Sequence, residues 1–120
     1  MPRRRVGIRL LRATVRFWIP RLWLSGWTIR VGLGECGGDV AECHARPEYR
    51  EADLTFNLAK LEPDALDETV RHELLHCHTW GLWSAAHDAA RSEAGRELAR
   101  REHEGLTTTL ARITGQIPAA

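Results

Sequence analysis

Cysteine is scarce in this chain of 120 residues. Cys36, Cys43 and Cys77 are odd in number and none is spaced as C-x-x-C. A disulfide framework is excluded, and reduced thiols in the cytoplasm are the expectation. No apolar run approaches the roughly 18 residues that a membrane span needs, so no membrane partner is expected. Near the start, Arg9, Arg12, Arg16 and Arg21 interrupt any apolar core of a signal peptide. An excess of one charge is also lacking. The formal net charge is +1, so the chain as a whole makes no general demand for nucleic acid. There is no internal repeat and no low-complexity linker. At this length a single domain over 1–120 is expected, with 1–5 as a basic arm and 115–120 as a flexible tail.

The charge that is present is uneven. Arg3, Arg4, Arg5, Arg9, Arg12 and Arg16 load the N-terminal end, and acids gather after Glu48. Such a segment can bind phosphates, although a solvated helix face is the commoner outcome. Leu11, Val15, Trp18 and Leu22 recur at helical intervals, which predicts a helix over 4–19 that Pro20 ends. Alternation predicts strands over 27–33, 40–44 and, most clearly, 49–58, where Ala52, Leu54, Phe56 and Leu58 share one face. A second helix follows Pro63, with Asp64 as its N-cap and Asp67 and Glu68 in the first turn. Leu66, Val70, Leu74 and Cys77 form its apolar stripe, and Gly81 is the expected stop. From 84 to 112 the chain reads as helical, with Gly95 and Gly105 as weak points. Strands followed by helices define an α+β fold with a small antiparallel three-stranded sheet.

The second helix carries His72-Glu73-Leu74-Leu75-His76, an H-E-x-x-H. Positions four apart lie one turn above each other, so His72 and His76 can hold one ion between them. Glu73 lies beside that ion, placed to take a proton from water and return it to a leaving amine. The plain alternative is a pair of surface histidines with a solvated glutamate. The capped helix and its leucine back argue against it.

A catalytic zinc needs a third protein ligand. Thr79 and Leu82 stand where a G-x-x-H extension would put glycine and histidine. A glutamate from a later helix is therefore expected, from among Glu93, Glu97, Glu102 and Glu104. His78, His87, Asp88 and His103 are less suited. Glu104 is preferred because Thr107, Thr108 and Ala111 give its helix a small-residue face, which permits close approach to the zinc helix. Glu102 and Glu97 stay open, since Gly105 leaves the phase uncertain. His78 points to another face and is expected to meet solvent or an acid. A separate zinc site from Cys43, His44, Cys77 and His78 is poorly spaced. Tyr49 suits strand-start packing better than an oxyanion site. The five tryptophans suit the core and its rim, with Trp80 and Trp83 near the cleft.

The H-E-x-x-H with Thr69-Val70 ahead of it, the passages "LWLSGWTIRV" and "YREADLTFNL", and "EGLTTTL" together resemble a gluzincin, the zincin metallopeptidase type of minigluzincins and SprT-like domains. The resemblance covers about 10–113. It implies a small phage- or actinobacterial-type zinc peptidase. His72, His76 and Glu104 would hold Zn²⁺, Glu73 would assist attack of zinc-bound water, and a polypeptide substrate would lie along the 49–58 strand. The alternative is a zinc-stabilised, non-catalytic module that binds protein or nucleic acid through the arginine-rich helix.

Overall fold

The computed structural model describes residues 5–116. Arg3 and Arg4 of the basic arm, and the tail from 117, lie outside the described residues. The element order is α1 (Ile8–Arg21), β1 (Thr28–Leu33), β2 (Ala41–Arg46), β3 (Glu51–Phe56), α2 (Leu66–Ala89) and α3 (Glu93–Thr114). The fold is α+β, as the order of periodicities implies.

The long, well-patterned segments behave as expected. Leu11, Val15 and Trp18 bury one face of α1, and Leu66, Val70, Leu74 and Cys77 bury the stripe of α2. Ala52, Leu54 and Phe56 turn inward from β3. These side chains form one core, with α2 between the sheet, α1 and α3.

The sheet is mixed rather than antiparallel. Its order is β1-β3-β2, with β1 parallel and β2 antiparallel to β3. The turn from Cys36 to Asp39, with Gly37 and Gly38 both at positive φ, and the stretch up to Ala41 carry the chain past the slot that β3 later fills. The strand expected to receive substrate is thus the central one, and both its edges are already paired.

Several ends differ from expectation. Pro20 lies within the last turn of α1, where a missing N–H forfeits only one backbone bond. Leu24 N–H donates to Ile19 O at 2.9 Å and Trp23 N–H to Pro20 O at 3.2 Å. This closes the helix with Trp23 in the left-handed region, a Schellman arrangement that glycine usually serves. Asp64 is not the cap of α2. It lies in a 3₁₀ turn at Pro63–Ala65, and Asp67 instead accepts from Trp18 Nε1 at 2.6 Å. Gly81 does not stop α2, because an interior glycine costs only about 1 kcal/mol and Trp83 continues the contact with α3. The break comes at 90–92, where Ser92 Oγ accepts from Gly95 N at 3.0 Å and caps α3. Gly105 is an ordinary helical residue.

Candidate metal centre

The helical period puts His72, His76 and Thr79 on one face of α2, and Trp83 a turn further on. The facing side of α3 is His103, Thr107, Ala111 and Thr114, all buried and mostly small. The larger side chains of Leu106 and Ile113 point to solvent. Small residues at the contact let the two helices close tightly, which brings Glu104 over the histidines.

Three donor groups meet there. His72 Nε2 and His76 Nε2 are 3.2 Å apart. Glu104 straddles them, with Oε2 3.3 Å from His72 Nε2 and Oε1 3.5 Å from His76 Nε2. A tetrahedral ion with bonds of about 2.0–2.1 Å sets its donors roughly 3.3–3.4 Å apart. The spacing and the two-imidazole, one-carboxylate donor set therefore fit a zinc ion with an open position. Glu73 Oε1 is 4.0 Å from His76 Nε2, beside the triangle rather than in it.

Of the other candidates, His103 adjoins the centre, its Nε2 3.1 Å from His76 Nδ1, and the rest are engaged elsewhere. Glu93 pairs with Arg96 and Glu97 with Arg100. Glu102 lines a separate apolar cavity between α2 and α3. His87 lies 3.7 Å from Asp88 near the far end of α2. His78 is exposed to solvent, as expected, and its Nε2 also lies 2.6 Å from the carbonyl of Leu22 at the end of α1. Cys43 and Cys77 are buried beside each other, but His44 is exposed and His78 turns to the end of α1, so the four residues do not gather into one site. Tyr49 is 71% exposed and does not pack at the strand start. Trp23 is likewise 72% exposed, whereas Trp80 and Trp83 line the cleft.

Burial and pairing tune the site. Desolvation raises the Glu73 carboxyl to about 7, and the neighbouring His72 only partly offsets this. The contact with Glu104 raises His72 and lowers Glu104. Burial lowers His76 to about 4 and also lowers His103. The cleft, about 730 Å³, is lined by Asp39 to Cys43 on the sheet side, by Glu68 and Thr69 ahead of the motif, and by Arg100 from α3.

The sequence pattern did not reveal that β2 is the edge strand beside the cleft, nor the buried cluster of Thr79, His103 and Thr107. The cluster had a signal. Thr79 continues the His72–His76 stripe, and Thr107 lies one turn after His103. The chain matches no family model, no curated protein and no solved structure, so the likeness to gluzincins rests on these residues and their arrangement.

Proposed function

We propose that this chain is a zinc-dependent peptidase. His72, His76 and Glu104 hold Zn²⁺, and Glu73 is the general base. The observation that carries the reading is the donor triangle, with tetrahedral edge lengths, set in a cleft beside a sheet edge that is unpaired among the described residues. Bound zinc would supply Lewis acidity and would bring the pKa of water towards neutrality. Glu73, held by its helix beside the triangle, takes the proton of the attacking water and passes it to the leaving amine.

The substrate strand is β2, not β3. Val40 O accepts from Asn57 N at 2.8 Å, so Val40 faces β3. Alternate residues of an antiparallel strand face opposite ways, so Ala41, Cys43 and Ala45 turn their N–H and C=O groups outward. An extended peptide adding to that edge runs past the histidines, because Ala41 and Cys43 line the same cleft.

Zinc content should be near one per wild-type chain by mass spectrometry and should be lost in His72→Ala, His76→Ala and Glu104→Ala. It should be kept in Glu97→Ala and Glu102→Ala. Glu73→Ala should keep zinc and cleave an unfolded protein roughly 10²–10⁴-fold more slowly. Equal cleavage by wild type and Glu73→Ala would reject catalysis by this centre.

One observation favours a second reading, a zinc-stabilised binding module. Arg9, Arg12 and Arg16 are exposed on α1 and make no ion pair among the described residues, whereas Arg30, Arg46 and Arg71 are paired. Salt-sensitive DNA binding that is lost in the triple alanine variant of those arginines, with no peptidase activity, would support it.

A further inference from the structure

We infer that His103 is the positioning residue for His76: its Nε2 accepts the Nδ1 proton of His76 and so holds that ring with Nε2 free to face a metal. The inference rests on the zinc reading above. A histidine can ligate through Nε2 only when its proton is on Nδ1, and that proton needs an acceptor in the buried side of the site.

The geometry provides one. His76 Nδ1 lies 3.1 Å from His103 Nε2, and His103 is only 8% exposed. Ligation through His76 Nε2 decides which nitrogen donates, and the hydroxyls around His103 are compatible with that direction. Thr107 Oγ1 donates to the His103 carbonyl at 2.8 Å, which uses its only proton. Thr79 Oγ1 still has its own proton to give. Its acceptors are His103 Nε2 at 2.7 Å, Thr107 Oγ1 at 3.2 Å and Leu75 O at 3.4 Å, and the first is the shortest. A Thr79 hydroxyl that donates to His103 Nε2 shares the single lone pair of that nitrogen with the His76 Nδ1 proton in a three-centre contact. His76 Nδ1 is then the donor. The His103 ring is held in its plane by Trp83, stacked at 5.6 Å and 27°. His103 also adjoins Glu104, so one turn of α3 supplies a ligand and aims another.

The test compares zinc affinity, by competition with a chromophoric chelator, for wild type, His103→Leu and His103→Gln. It adds the absorption of the cobalt-loaded forms and ¹⁵N spectra of the histidine rings in the zinc-loaded wild type. Leucine keeps bulk and removes the acceptor, so zinc affinity should fall roughly 10–100-fold. Glutamine, whose amide oxygen can take the place of Nε2, should recover most of it with an unchanged cobalt spectrum. The ring spectra should show His103 Nε2 without a proton, a result independent of whether the variants fold. Three results would overturn the inference: unchanged affinity in His103→Leu, a proton on His103 Nε2 in the zinc-loaded protein, or a cobalt spectrum in His103→Gln that has lost a ligand. The last would make His103 a ligand itself. Wild type that binds no zinc would instead reject the function proposed above, before any variant is compared.

Discussion

At the scale of single residues, Glu73 holds the strongest tension. It is a carboxylate 7% exposed, and burial raises its pKa from 4.5 to about 7 in the metal-free site. A group whose folded pKa is raised contributes stability below its unfolded pKa and loses it as pH rises through the folded value. For Glu73 that window runs from about 4.5 to 7. Glu73→Gln should therefore stabilise the chelator-treated protein at pH 8 by up to about 3 kcal/mol and have little effect near pH 4. Urea unfolding at the two pH values measures this. No stabilisation at pH 8 would mean that the carboxylate is solvated there. His78 teaches the opposite lesson. It neighbours the motif in sequence, yet its ring serves the end of α1, because two positions along a helix turn a side chain to another face.

At the scale of elements, α3 decides whether the centre assembles. Its N-terminus depends on Ser92, and Ser92→Ala should cost about 1 kcal/mol, read from thermal unfolding with chelator present. Its contact with α2 depends on small side chains. Thr107 is fully buried, and Thr107→Leu should destabilise by roughly 1–3 kcal/mol. It should also weaken zinc binding, since α3 carries Glu104. Zinc affinity unchanged by this swap would mean that the helix spacing does not control the ligand. The preference for Glu104 was legible in the small residues that follow it. Its phase was not, because a glycine in a helical pattern can bend, end or merely dilute the helix. Gly105 does the last. The end of α1 shows a similar ambiguity. Trp23 occupies a left-handed position that glycine prefers, so Trp23→Gly should raise stability by roughly 0.5–1 kcal/mol. Little packing is lost with so exposed a ring.

At the scale of the whole molecule, the cleft has a sign although the chain does not. Asp39, Glu42 and Glu68 line it beside Glu73 and Glu104, while Arg100, its one arginine or lysine among the described residues, is paired with Glu97. Bound zinc would offset part of that charge, and the rim acids would remain. Peptides rich in lysine and arginine should therefore be cleaved faster than acidic ones of equal length. The difference should shrink between about 50 and 500 mM salt as screening shortens. Equal rates at low salt would show that the rim does not select. Zinc should also raise the unfolding temperature in a concentration-dependent way, since a ligand held only by the folded chain stabilises it by mass action. The arginine face of α1 is a second region of one sign. Among the described residues, no helix is long and apolar enough to cross a membrane.

Residue chemistry and periodicity along the chain were enough for the α+β class, for the buried faces of α1, α2 and β3, and for His72, Glu73 and His76 on one helix. Those features depend on neighbours within about a turn of helix or along one strand, and local geometry dictates them. Strand order depends on pairings up to 23 residues apart, and the approach of Glu104 and the His76–His103 contact on pairs 27 or more residues apart. Alternation reports that a strand has a buried face but not which strand lies beside it. Only the packing of small residues between α2 and α3, and the insertion of β3 between β1 and β2, decides who meets whom at the centre.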